Sequence, residues 1–178
     1  MSNPGQYWFL RYGDECYALT RFCYFAFMQS TVFRMAHHTI EYYLKAALLE
    51  SLDVGKLRKL NHNLSGLADE FELHRFDMRH FRQIIDYINL FERTRYPHIE
   101  SFSHVLWGSS FSEFFERFPE PHLQERVACF HLGDFDRLAH LIRSATASSE
   151  DPLWAGPSEL SREYLFKDNH CFLPTTRE

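Results

Sequence analysis

Apolar side chains recur at intervals of three and four residues along several stretches of the chain, which is the pattern of helices that bury one face. In residues 31–52 the positions Phe33, Ile40 and Leu44 follow this spacing. Comparable patterns predict further helices over residues 16–30, 61–71, 77–92 and 121–147. The last stretch is either one helix or two helices that meet at Gly133-Asp134. We therefore expect an all-α fold, an up-and-down helical bundle of four to five helices.

Residues with strong terminal preferences set the expected ends of these helices. Asp14 is the expected N-cap of the first helix, and Asn61 or Asn63 can cap the third. Gly55 is an expected stop signal for the second helix, so the basic segment 56–59 that follows it is predicted to be a connector.

Two segments do not follow the helical pattern. Residues 99–121 are rich in aromatic side chains, and only a short helix from about Ser110 to Arg117 is expected in this insertion. Because exposure of this many aromatic groups to water is unfavourable, they are expected either to cap the bundle or to form an interface. The chain is accordingly divided into a bundle, 1–147, and an extended C-terminal tail, 148–178, that docks on the bundle or on a partner.

Composition narrows the class of protein. The sequence has 45% hydrophobic residues and no apolar run long enough to cross a bilayer, and its first residues do not resemble a signal peptide. A cytoplasmic protein with no membrane association is therefore expected. The four cysteines have no metal-ligand spacing and are expected to be buried thiols. A net charge of −5 argues against non-specific nucleic-acid binding, although residues 56–98 have a small excess of Lys and Arg.

Three short motifs resemble one family in their order and separation. They are Glu41-Tyr42-Tyr43-Leu44-Lys45-Ala46, His62-Asn63-Leu64-Ser65-Gly66-Leu67 and Thr94-Arg95-Tyr96-Pro97. Together they are similar to the HEPN domain, in particular to small HEPN proteins with a Thr-Arg-Tyr-Pro element. The resemblance covers about residues 18–145. It implies a helical bundle that is commonly a homodimer and is often found beside a nucleotidyltransferase-like protein partner.

Some HEPN proteins are metal-independent ribonucleases that act as toxins, and they carry an arginine and a histidine separated by four to six residues. This chain has Arg93 and His98 at that spacing, with Arg95 between them. A histidine can exchange the proton of the ribose 2′-OH, and an arginine can hold the phosphate oxygens. The resemblance therefore makes Arg93, Arg95 and His98 the candidate catalytic residues of an endoribonuclease in a toxin–antitoxin or defence-type system.

The match to the nuclease motif is incomplete. Thr94, directly after the arginine, is polar as in many nuclease members, but Glu100 occupies a position where they often carry a tyrosine, and a carboxylate is unfavourable beside a phosphate. Two functions therefore remain open. One is an RNA-cleaving or RNA-binding HEPN protein. The other is a non-catalytic HEPN module that binds a nucleotide, a nucleotidyltransferase or another protein through the aromatic insertion and the tail.

Further candidate residues lie earlier in the chain. The resemblance makes Glu41 and Tyr96 members of a structural polar network, in which Glu41 pairs with Lys45 and reaches His62 or Arg95. The residues expected to contact RNA or a nucleotide are Lys45, His62, Arg79 and Arg82. His62 also fits a structural role at the start of its helix, and the two arginines also fit an ordinary charged surface. His37 and Glu41 are four residues apart, which suits either a metal site or a helical charge pair. We expect the charge pair, no metal and no cofactor.

Overall fold

Two long helices joined by a tight turn, α1 (Pro4–Phe25) and α2 (Gln29–Leu48), form the centre of the fold. The structure, a computed structural model, describes residues 4–74, 77–90, 104–124, 126–146 and 159–172. The helices after α2 are α3 (Val54–Leu60), α4 (Leu64–His74), α5 (Arg82–Leu90), α6 (Phe111–Arg117), α7 (Pro121–Gln124), α8 (Leu132–Ser144) and α9 (Glu159–Phe166). A 3₁₀ turn, Arg79–Phe81, precedes α5. The predicted all-α fold is confirmed.

Helix α2 is the central element of the core. It packs against α1, α4, α5 and α8, and its apolar positions at three- and four-residue spacing are fully buried, as the periodicity predicted. The two long helices approach closely at Gly13, where an added Cβ would lie 2.5 Å from a ring carbon of Tyr43. A glycine is required there because a larger residue would push the two helices apart.

The first and second helices begin and end differently from the prediction. Asp14 does not cap a helix: it is buried in the middle of α1, where its carboxylate accepts hydrogen bonds from Tyr43 and from Arg143, 129 residues away. Helix α2 ends at Leu48, and Gly55 does not stop it but lies in the first turn of α3. Asp53 caps α3 by accepting a hydrogen bond from the backbone N–H of Lys56 at 2.9 Å, so the basic connector is helical.

The prediction for residues 121–147, one helix or two helices that meet at Gly133-Asp134, is wrong. Strand β2 (Val127–Phe130) interrupts this stretch and pairs in parallel with β1 (His104–Trp107), with His104 opposite Val127 and Trp107 opposite Phe130. Ala128, Cys129 and Phe130 are all buried, so the short apolar run belongs to a covered strand, and such runs have no helical periodicity to distinguish them. Gly133-Asp134 lies in the first turn of α8, not between two helices.

The described aromatic residues of the insertion pack onto the bundle. Phe111 and Phe114 are buried beside Tyr87, with ring centroids 5.6 and 5.2 Å from its ring. The short helix expected here is present as α6, with Ser110 as its N-cap. The described part of the tail also lies on the bundle. Leu165 of α9 is buried, and the Phe172 ring lies 4.9 Å from the ring of Tyr17.

Candidate functional site

A buried carboxylate at the middle of α2 is the centre of the candidate site. The Glu41 side chain is 1% exposed, and its oxygens face Lys45 Nζ one turn later on α2 and the imidazole of His62 in the turn before α4. Helical spacing places Lys45 beside Glu41 because residues four apart lie on the same face. The packing of α4 on α2 brings His62 to the same carboxylate. The structure thus brings together three of the residues named from the sequence.

The hydrogen bond between His62 and Glu41 fixes the tautomer of the histidine. His62 Nδ1 lies 2.9 Å from Oε1 and 3.1 Å from Oε2 of Glu41. An ionised carboxylate only accepts hydrogen bonds, so Nδ1 carries a proton, and in the neutral form of the ring Nε2 keeps its lone pair. The His62 side chain is 48% exposed, whereas Glu41 is buried. The arrangement is that of a general base: an accessible imidazole held in one orientation by a buried carboxylate.

The surroundings keep Glu41 ionised. Burial alone would raise its pKa, but the adjacent His38, Lys45 and His62 outweigh burial and lower the pKa to about 2. The carboxylate therefore stays charged at any physiological pH. It can neutralise the positive charge that develops on His62 when that side chain takes up a proton.

Two further histidines lie beside the carboxylate. The Nδ1 atoms of His37 and His38 are each 3.7 Å from Oε2 of Glu41, and the three residues each offer one ligand atom within 4.8 Å of the others. Among the described residues these are the ones whose spacing suits a metal ion. The single negative charge of Glu41 is already balanced by Lys45, however, so a divalent cation would add uncompensated charge to a buried place. We interpret the group as a polar network.

The last turn of α5 lies near His62. The Asn89 side chain accepts from the backbone N–H of Leu64 at 3.4 Å and lies 3.4 Å from Ser65 Oγ, so the last turn of α5 is joined to the first turn of α4. Leu64 is two residues after His62. The candidate residues Arg93, Arg95, Tyr96 and His98 follow α5 in the chain and lie outside the described residues.

The two arginines expected to bind RNA are engaged with carboxylates of the protein. Arg79 pairs with Asp77, and Arg82 pairs with Asp69 and Glu72. Neither arginine is brought to the Glu41 cluster. Because each guanidinium already has acidic partners, a phosphate would have to displace them.

Sequence patterns missed two polar networks that join distant parts of the chain. In one, Arg143 binds Asp14 through Nε at 2.7 Å and Nη2 at 3.0 Å. In the other, the fully buried Arg21 pairs with Asp136 and donates to the backbone carbonyls of Tyr164 and Lys167, which anchors α9 on α1. The available signal was a charged residue inside an apolar stretch: Arg21 lies among aromatic and apolar neighbours, and a buried charge needs a partner.

The cysteines are free thiols with suppressed reactivity. Burial raises the pKa of Cys16 to about 11 and that of Cys129 to about 12. Cys23 and Cys129 are buried as expected, while Cys16 and Cys171 are partly exposed. Because the thiolate is the reactive form, these groups are poor nucleophiles at neutral pH.

Comparison with known proteins gives no match: no family model, no curated protein and no solved structure is significantly similar to the chain. In the described part of the chain no helix is both long enough and apolar enough to span a membrane.

Proposed function

We propose that the chain is a HEPN-type protein that cleaves RNA without a metal ion, as a homodimer, with its active site between His62 and the segment that follows α5. The observation that carries this proposal is the Glu41–His62 pair, an exposed imidazole oriented by a buried, ionised carboxylate. The joining of α5 to α4 through Asn89 supports it, because Asn89 contacts Leu64, two residues after His62, and Arg93 follows Asn89 by four residues in the sequence.

The proposed reaction uses the ribose as the nucleophile. Nε2 of His62 accepts the proton of the 2′-OH, the 2′ oxygen attacks phosphorus, and the bond from phosphorus to the 5′ oxygen breaks. Arg93 or Arg95 holds the phosphate oxygens, and His98 donates a proton to the departing 5′ oxygen. The products are a 2′,3′-cyclic phosphate and a 5′-OH end. Lys45 lies beside Glu41 and offsets its charge, which would otherwise repel the phosphate.

Cleavage of RNA in excess EDTA tests the proposal. We expect the purified chain to produce 2′,3′-cyclic ends, and His62→Ala and His98→Ala each to lower the rate by about 10²- to 10⁴-fold. His74→Ala is the matched control, because His74 is partly exposed on α4 away from the cluster and should leave the rate unchanged. Cleavage that survives both His62→Ala and His98→Ala would refute the assignment.

A second candidate function is a non-catalytic HEPN adaptor that partners a nucleotidyltransferase-like protein. It is favoured by large apolar side chains that α1 exposes, among them Trp8 and Leu19. Phe111 and Phe114 of the aromatic insertion pack inward. The surface proposed to bind the partner protein is therefore on α1 and not on the insertion. Absence of cleavage, combined with co-purification of the chain with a nucleotidyltransferase encoded beside it, would favour this function over the first.

A further inference from the structure

Helix α3 carries three basic side chains that the proposed reaction does not use. They are Lys56, Arg58 and Lys59, and we call them the α3 basic surface. All three are exposed, whereas Leu57 on the same helix is 3% exposed and holds α3 on the bundle. The segment 53–62 contains one acidic residue, Asp53, against these three. Its charge is therefore positive, although the whole chain has a net charge of −5.

The α3 basic surface has no ion-pair partner within the described part of the chain. The acid nearest in the sequence, Asp53, caps the helix by accepting from the backbone N–H of Lys56 at 2.9 Å. Arg79 and Arg82 differ in this respect, because each is paired with carboxylates of the protein. A phosphate can therefore bind at α3 without displacing an acidic side chain.

The α3 basic surface is joined directly to the turn that holds His62. Helix α3 ends at Leu60, two residues before His62, and the N–H of Asn63 bonds to the carbonyl of Leu60 at 3.1 Å. Leu60 also lies against the first turn of α4, where a Cβ added to Gly66 would be 3.5 Å from its Cδ2 atom. The basic side chains thus extend from a helix whose position relative to the imidazole is set by packing.

The separation along the chain suits neighbouring phosphates of one nucleic-acid strand. Lys59 is three residues before His62, so their Cα atoms are at most about 11 Å apart. One strand carries a phosphate for about every 3.4 Å of helix axis, so this distance corresponds to roughly three nucleotides. A strand whose ribose contacts His62 can therefore place its next phosphates over α3.

We infer that the α3 basic surface binds the phosphates of the RNA strand that lie beside the bond cleaved at His62. This role rests on the proposed function, which supplies RNA as the ligand. Phosphate contacts fix the position of a strand without reading its bases, so this binding is independent of base sequence. Because the chain as a whole is acidic, a local positive surface is also what draws an anionic polymer towards His62.

Binding of an RNA that cannot be cleaved tests the inference. The probe is a short single strand with 2′-O-methyl groups and a fluorescent label, and its anisotropy reports binding to the full chain. Lys56→Gln, Arg58→Gln and Lys59→Gln together should weaken binding by at least about tenfold at low salt. The slope of log K against log salt should fall by about two, since each phosphate contact to a single strand contributes about 0.7.

The matched control removes the same amount of charge from other surfaces. Arg11, Arg117 and Arg137 are exposed on α1, α6 and α8, and their joint replacement by glutamine should change the affinity less than about threefold. Both triple variants should keep the helical circular dichroism of wild type, because glutamine is a good helix former. Equal losses of affinity in the two triple variants would overturn the inference, since net charge alone would then explain binding. So would wild-type affinity in the α3 variant.

Cleavage kinetics separate this role from the proposed function. In a chain that cleaves RNA, the α3 triple variant should raise KM by at least about tenfold and leave kcat within about twofold, because the contacts hold substrate and transition state alike. A chain that binds the probe through α3 but cleaves nothing would support the α3 role and refute the proposed function. Cleavage with an unchanged KM in the α3 variant would do the reverse.

Discussion

Nδ1 of His62 lies 2.9 Å from Oε1 of Glu41, although the two residues are 21 positions apart and only Glu41 is buried. The pair joins α2 to the turn that precedes α4. It therefore links the stability of the bundle to the orientation of the proposed general base. Glu41 provides the negative charge of this pair. It stays ionised because the groups around the carboxylate lower its pKa to about 2.

Replacing Glu41 by glutamine should remove a pH-dependent contribution to stability. A carboxyl group whose pKa falls from 4.5 in the unfolded chain to about 2 in the folded one stabilises the fold above pH 4.5 and loses this effect as the pH falls towards 2. The difference in unfolding free energy between wild type and Glu41→Gln should be about 3 kcal/mol at pH 5.5 and should shrink at pH 2.5. Urea titrations at the two pH values measure it.

The control for this experiment is Glu116→Gln, because Glu116 is exposed on α6. It should change the unfolding free energy by no more than about 0.5 kcal/mol at either pH. If the difference between wild type and Glu41→Gln stays constant between the two pH values, Glu41 does not titrate as described.

Tyr87→Phe should destabilise the contact between α5 and β2. The Tyr87 hydroxyl donates to the carbonyl of Val127 at 3.2 Å and accepts from the backbone N–H of Cys129, so it bridges two positions of a buried strand. Phenylalanine leaves both backbone groups without this partner, which should cost about 1–3 kcal/mol. Chemical denaturation monitors the loss. Tyr12→Phe is the comparison, since the exposed Tyr12 should tolerate the change, and equal effects of the two variants would contradict the bridging role.

Phe27→Asn should stabilise the single chain. Phe27 lies two residues after the end of α1 and has φ of 55°. The N–H of Met28 bonds to the carbonyl of Cys23 at 2.8 Å, which is the pattern of a helix terminus that favours glycine or asparagine. Relief of the strained backbone should raise the unfolding free energy by about 0.5–1 kcal/mol, measured at low protein concentration so that association does not contribute. Phe27→Ala lacks a polar side chain that can hydrogen-bond to the local backbone, so it should bring no gain. A gain as large as that of asparagine would show that strain is not the cause.

Periodicity predicts those elements of the fold that depend on residues close to one another in the sequence. The buried face of α2 and the short helix α6 both follow from residues within one or two turns. The predictions that failed concern residues whose structure depends on partners distant in the sequence. Asp14 has the chemistry of a cap, but Arg143 and Tyr43 hold it inside a helix, and Val127–Phe130 becomes a strand only because β1 lies beside it. In the candidate site, the Glu41–Lys45 pair follows from helical spacing, whereas the geometry of His62 required the packing of α4 on α2.

Arg21 and Asp136 provide a test of what anchors the tail. Both are buried, and Asp136 also accepts from Tyr17 at 2.6 Å, while Arg21 Nε donates to the carbonyl of Tyr164 at 3.0 Å. Arg21→Met leaves the Asp136 carboxylate buried without its cation, which should lower the unfolding free energy by about 3–5 kcal/mol. It also removes the donor to α9, so proteolysis within residues 159–172 should become faster.

The double variant Arg21→Met with Asp136→Leu separates these two effects. Because it removes both charges, it should recover most of the lost unfolding free energy, since an apolar pair of similar volume often replaces a buried ion pair without loss. It does not restore the donor to the carbonyl of Tyr164, so proteolysis of α9 should stay fast. Recovery of both properties would show that apolar packing, such as that of the buried Leu165, is enough to anchor α9. Recovery of neither would show that the two side chains contribute through their shape more than their charge.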